Sequence, residues 1–271
     1  MGASATAMAG GVTWAKDARP IYSLGVFPFL PALKLGERFA PAALDLGAAL
    51  DAQIQLRTKD TAAAYAAQLI AGTYDIVLVP PLLYVDGHER QEYRALAQAD
   101  RKVRAVLVGR KDLSGRRLAD LRGKTIAIVP LTGAAQLLQV ALLDEGLANS
   151  DGPLIQPYQT KTACLQAVTS GDAAGCVIPS ILGHEPRAIR KLDLAQIWES
   201  QPIGGLVLAV HPRVPPGDAE RLRRRVLGWG DTRQGQAILR GLSWPGVLGV
   251  EDGDFDSVRT IWSRLHAGGS G

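Results

Sequence analysis

Cysteine, histidine and aromatic residues are scarce in this chain. Its 271 residues include two Cys, four His and 6% aromatics. Two cysteines are too few for a small disulfide-stapled scaffold, and the length is enough for a large core without one. His88, His184, His211 and His266 are scattered with no His-x-x-x-His pair, which argues against a metal site. No stretch of about 18 apolar residues occurs, so no membrane-spanning helix is expected. No large excess of charge exists either. Thirty basic against 26 acidic side chains give a formal +4, a mildly basic surface that attracts anions and is too weak to indicate nucleic acid.

Motifs of catalysis are also missing. Gly123-Lys124-Thr125 resembles the tail of a phosphate-binding loop, but Leu118 stands where its first glycine belongs and a strand pattern follows. The acids at 252, 254 and 256 lack the glycine and the terminal glutamate of a calcium loop, and suit helix capping better. No Gly-x-Ser-x-Gly elbow or reactive-cysteine signature is found. The Arg221 to Arg225 run reads as a solvated helix face. No catalytic residue, cofactor or metal is expected.

What is present is strand–helix alternation. Ile21 to Val26 reads as a first strand, and 32–50 as a helix with Pro41 in its first turn. "AQIQLRT" reads as a strand, and "DTAAAYAAQLIAG" as a helix capped by Asp60 or Thr61 and stopped by Gly72. "YDIVLVPPLLYV" is expected to be a buried strand ended by Pro80 and Pro81, and 104–108 another. Ala134, Leu137, Leu138, Ala141 and Leu142 share one face of a later helix. "QPIGGLVLAVHP" reads as a long apolar strand, and the last third as mostly helical. Residues 54–81 and 155–180 also resemble each other: strand, Thr/Lys turn, helix, turn, strand ending in Pro. Two such units predict two similar α/β lobes with largely parallel sheets.

In parallel sheets, ligands bind beyond the C-terminal strand ends. That rim comprises Val26-Phe27-Pro28, Thr58-Lys59-Asp60, Pro80-Pro81, Pro130 to Gly133 and Gln159-Thr160-Lys161. Thr61, Thr132 and Thr160 each stand at a helix start, where orphan amides and the dipole favour an anion. Cys164 and Cys176 bracket a helix-to-strand segment. The spacing fits either a disulfide or two buried thiols, and export would favour the disulfide.

The ordered set of segments resembles a known family, the periplasmic substrate-binding proteins of phosphate, phosphite and phosphonate ABC transporters. The segments are "LGVFPF" (24–29), "LIAGTYDIVLVPPLLYV" (69–85), "DLRGKTIAIVPLTGAAQLLQVALLDEGL" (120–147), "AVTSGDAAGCV" (167–177), "SQPIGGLVLAV" (200–210), "DTRQGQAILRGL" (231–242) and "DFDSVRTI" (254–261). The resemblance implies an α/β, two-lobed type II periplasmic-binding-protein fold with two hinge-crossing strands, near 105–108 and 206–210. Residues 20–105 plus 207–271 would form the first lobe and 106–206 the second. Residues 1–19 would be a disordered or processed segment, and the tail from Ala267 a short appended linker. It also implies a monomer in the periplasm that closes on a small anionic ligand and delivers it to a membrane permease. A sensor that presents ligand to a receptor ectodomain, or a redox-linked accessory protein, is the alternative.

By the same resemblance, Tyr84, Leu131, Thr132, Gly133, Ala134, Thr160 and Lys161 would face the ligand, and from the rim Lys59 would add charge and Phe27 an apolar wall. Two departures stand out. The family's oxyanion turn is rich in Ser and Thr, whereas here Leu131 and Ala134 flank Thr132 and Gly133. The family's acidic turn, which meets an amine in some ligands, is here Gln159-Thr160-Lys161-Thr162, with no carboxylate. An amine-bearing ligand is therefore disfavoured, and a less hydrated anion or a small organic acid or ester is expected.

Overall fold

The computed structural model describes residues 19–181 and 192–267. His184, most of the expected N-terminal segment and residues 268–271 lie outside them. Two sheets organise the chain. The first is built from β1 (Ile21–Val26), β2 (Gln53–Arg57), β3 (Ile76–Val79), β4 (Arg94–Ala99), β10 (Val207–Val210) and β11 (Val247–Gly249). The second holds β5 (Val103–Arg110), β6 (Thr125–Ile128), β7 (Leu154–Pro157), β8 (Gly175–Ile181) and β9 (Leu194–Glu199). Their orders are β11-β4-β10-β3-β1-β2 and β7-β6-β8-β5-β9.

The resemblance between 54–81 and 155–180 is architectural. In the first sheet β1 lies between β2 and β3, all parallel; in the second β6 lies between β7 and β8 in the same way. Only these halves are parallel. β10 runs antiparallel beside β3, and β5 antiparallel beside β8. The sheets are thus mixed rather than largely parallel, because each takes in a strand that has just crossed from the other.

Eight α-helices cover the sheets among the described residues: α1 (Ala32–Leu50), α2 (Ala62–Ile70), α3 (Pro81–Gln91), α4 (Gly133–Asp144), α5 (Lys161–Ser170), α6 (Pro216–Leu227), α7 (Arg233–Leu242) and α8 (Asp256–Ala267). None is long and apolar enough to cross a membrane. α1 buries Leu35, Phe39, Ala42, Leu46 and Leu50 on one face. That buried stripe holds the helix together although Pro41 lies in its interior, not in its first turn, where a proline lacks a hydrogen-bond donor. α3 was not foreseen: the segment after Val79 leaves the sheet at once, because Pro81 occupies the first helical turn, where its missing N–H costs nothing.

Each sheet is packed on both faces. Around the first, one core gathers Leu46, Leu208, Leu222 and Ile238, and the other gathers Tyr65, Tyr84, Tyr93 and Phe255. Around the second, one core centres on Leu107, Ile126 and Leu138, and the other on Val108, Val168 and the disulfide between Cys164 and Cys176. Gly25 shows how tightly strand and helix meet. Tyr65 donates to its carbonyl at 2.9 Å, and a Cβ there would lie 2.6 Å from the Tyr74 ring. Gly25→Ala is expected to destabilise the fold by about 1–3 kcal/mol through overpacking, measurable by urea denaturation.

The chain passes between the sheets twice, after Ala99 and after Glu199. The crossings are hydrogen-bonded to one another: Val103 and Ile203 exchange bonds of 2.9 and 2.8 Å, and Ala99 N donates to Leu206 O at 2.8 Å. Gly205 allows this approach, since a Cβ there would stand 2.7 Å from the Ala99 carbonyl. Of the expected strand 201–212, only Val207–Val210 pairs in a sheet; its first half is the crossing itself.

Candidate functional site

Three threonines cap helices at the C-terminal ends of the parallel strands. Thr61 accepts from Ala64 N at 3.1 Å, Thr160 from Ala163 N at 3.1 Å and Thr132 from Ala135 N at 3.3 Å. The reason is local: a hydroxyl three residues before a free amide satisfies one of the four donors that a helix start leaves unpaired. Lys59 is exposed at the end of β2, and Thr160 and Lys161 are exposed at the start of α5.

The turn between β6 and α4 is the most specialised of these starts. Thr132 uses its hydroxyl twice, donating to Val129 O at 2.7 Å while accepting from Ala135 N. Its proton is therefore committed to the backbone. The amides of Gly133 and Ala134 have no hydrogen-bond partner among the described residues. Leu131, just before the cap, adopts φ +59° and is 38% exposed. Left-handed backbone costs a non-glycine residue about 1–2 kcal/mol. Such strain persists only where surrounding structure imposes it, and it concentrates at functional sites.

Beside this turn lies the second crossing. A Cβ on Gly133 would sit 3.6 Å from Ile203 Cδ1, so an apolar hinge side chain borders the helix start. Ile203 was not foreseen as a site residue; its only sequence signal was its position in a segment read as strand. Gln98, which carried no sequence signal, donates its side-chain amide to Gly205 O at 3.2 Å and braces the crossing from β4.

Two expected ligand contacts are core side chains instead. Phe27 is 4% exposed and packs edge-on against Tyr65, with ring centroids 5.7 Å apart. Tyr84 is 1% exposed in α3, its ring 4.5 Å from that of Phe255. It donates to Asp252 at 3.2 Å and accepts from Ala95 N at 3.3 Å. Burial, then the nearby Asp252 carboxylate, pushes its phenol well above the ordinary value, so it remains a neutral donor. The helix that begins at Pro81 turns this side chain inward; an extended strand through Val85 would have left it at the rim. Ala134 is likewise buried, and only its backbone faces the helix start. No group of three or more metal-ligating side chains occurs among the described residues.

Comparison with known proteins adds to this geometry. A family model described as the periplasmic substrate-binding protein of phosphonate ABC transporters matches residues 24–255. A search of curated proteins finds no match. Among solved structures, PhnD1 from Prochlorococcus marinus in complex with methylphosphonate is similar, with a TM-score of 0.77 and 15% identity, over 91% of this chain and 98% of that one. A binding component of an ABC phosphonate transporter from Pseudomonas aeruginosa has the same TM-score and identity, over 92% and 89%. A Xanthomonas citri protein bound to ATP is equally similar, over 91% and 98%. At this identity the structural likeness shows the fold, two α/β lobes joined by a hinge.

Proposed function

Because this chain belongs to the periplasmic substrate-binding proteins of phosphonate ABC transporters, we propose that it captures a small organic anion, related to the phosphonates but less hydrated, between two lobes. In this reading the first sheet and its helices form one lobe and the second sheet, from β5 to β9, forms the other with its helices, so the boundary lies before Val103 rather than at 105, and the paired crossings act as the hinge. The captured ligand passes to a membrane permease, and the protein works as a monomer. Its family is one of binders, so capture requires no bond to be broken in the ligand.

One observation carries the ligand class. The α4 turn offers the amides of Gly133 and Ala134 at a positive dipole end, with the Thr132 hydroxyl already engaged and Leu131 and Ile203 beside it. A compact dianion such as inorganic phosphate needs many donors, and this turn has few. An anion whose charge occupies one end, with an apolar substituent on the other, suits two amides and a hydrocarbon wall. In this reading Thr160 and Lys161, after β7 beside β6, and Lys59, after β2 of the other sheet, complete the rim.

Leu131→Gly separates binding from folding. Relief of the left-handed strain is expected to raise stability by about 1 kcal/mol, seen as a higher urea midpoint. Loss of the apolar wall is expected to weaken binding of longer alkylphosphonates about tenfold, as one buried leucine side chain is worth roughly 1.5–3 kcal/mol. Calorimetric titration with phosphate, phosphite and a series of alkylphosphonates and phosphonate esters reads the second effect. Equal affinity of Leu131→Gly and the parent protein for every member would remove Leu131 from the site. Tight binding of inorganic phosphate by the parent protein would overturn the ligand class.

A further inference from the structure

The C-terminal helix makes a third link between the lobes, apart from the two crossings. α8 is rooted on the first sheet's side: Phe255, just before it, and Val258 are buried there and Trp262 packs against the same core. Arg259 donates to Glu89 of α3 at 2.9 Å and to both Asp252 carboxylate oxygens at 2.9 and 3.0 Å. The same helix also reaches the other lobe. Ile261 packs against the core that contains Tyr84 and against the core that contains Leu138 and Leu142. Arg264 pairs with Asp144, the last residue of α4.

α4 is consequently held at both ends. Its first residue, Gly133, lies against Ile203 of the crossing, and its last residue is tied to α8. At 1.5 Å per residue the two ends are about 17 Å apart. The ligand turn and the hinge are at one end, and the contact with the first lobe is at the other.

We infer that Ile261 and Arg264 are positioning residues for ligand capture: their contact with the far end of α4 restrains closure and so sets affinity without touching the ligand. This rests on the reading that the lobes close around a ligand. α4 acts as a lever whose fulcrum is near Ile203. With the pivot at the Gly133 end, rotation of the second lobe on closure moves the Asp144 end furthest and draws it from its contact with α8. The closed form must part this contact, and the ligand's preference for the closed form must exceed that cost. The restraint is modest. Arg264 and Asp144 are both 46% exposed, and an ion pair in that setting contributes little.

Reversing one charge tests the inference. Arg264→Glu sets two like charges against each other at an exposed position, and Asp144→Arg with Arg264→Glu restores the attraction with the signs exchanged. X-ray scattering of the ligand-free proteins and calorimetric titration with methylphosphonate are the two readouts. Ligand-free Arg264→Glu is expected to have a smaller radius of gyration than the parent protein, and to bind methylphosphonate about two- to fivefold more tightly. The double variant is expected to return both values to those of the parent. Ile261→Ala should act in the same direction as Arg264→Glu. An unchanged or larger radius of gyration for ligand-free Arg264→Glu would overturn the restraint, because that measurement involves no ligand. A smaller radius with no methylphosphonate binding in any variant would uphold the restraint and count against the ligand class instead.

Discussion

Asp45→Ala is expected to destabilise the protein by about 3–5 kcal/mol, toward the lower end of that range, and to lower its melting temperature by several degrees. Asp45 is 1% exposed, in the middle of α1. Its carboxylate accepts from Arg225 Nε at 2.8 Å and from a second Arg225 nitrogen, from Trp229 Nε1 at 2.8 Å and from Gln234 Nε2 at 2.9 Å. One side chain therefore ties α1 to α6, to the turn after it and to α7. Removing it leaves the buried Trp229 indole donor unpaired and strands the guanidinium of Arg225 without its counter-charge, while the exposed Gln234 amide can turn to water. The Arg225 side chain is 38% exposed and can rehydrate in part, which keeps the cost near the lower bound.

The same carboxylate gives the stability a pH dependence with a defined sign. Burial alone would raise its pKa, but the hydrogen bonds from Arg225 and Trp229 and the charge of Arg225 outweigh burial, and the net shift is downward. A folded value below the unfolded one means that the contribution is full above about pH 4, the unfolded carboxyl value. It is lost as pH falls through the folded value. Urea midpoints measured from pH 6 to pH 3 should fall more steeply for the parent protein than for Asp45→Asn, which has no carboxyl to titrate. Parallel profiles would show that the Asp45 carboxyl titrates alike in the folded and unfolded protein.

Replacing both Cys164 and Cys176 by alanine is expected to cost about 3 kcal/mol, the loop-entropy value for a bond that closes a short loop. The two residues are 12 apart in sequence and join α5 to β8, and both are fully buried against Val108 and Val168. Dithiothreitol is expected to leave the bond intact in the folded protein and to cleave it once urea opens the second lobe, because a thiolate must reach the sulfur to exchange. A double variant as stable as the parent would show that neither the bond nor the packing of its sulfur atoms supports the fold. α5 also carries Thr160 at its start, so the bond steadies one edge of the candidate rim from behind.

Local signals were legible wherever their range is a few residues. The caps at Thr61, Thr132 and Thr160 follow from a hydroxyl three residues before a free amide. The paired strand–helix–strand units follow from periodicity, and they stand in equivalent places in the two sheets. The strands β4, β9 and β11 escaped notice because RALAQA and LAQIWE hold few of the β-branched and aromatic residues that mark a strand, and β11 has only three residues to show a pattern.

The sequence by itself determined the class of fold, the strand ends that form the rim and the poverty of hydroxyls around Thr132. Only the tertiary structure decided where side chains of the same local type go. Phe27 and Tyr84 turn into the core because Tyr65, Phe255 and Asp252, each distant in sequence, complete their surroundings. Leu131 is held left-handed at the rim, Ile203 comes to rest against Gly133, and Arg264 meets Asp144, 120 residues away. Hydrogen-bond spacing and hydrophobic periodicity act within a helical turn or a strand. The destination of a side chain is set by which distant elements pack upon its own, and no window of neighbouring residues contains that information.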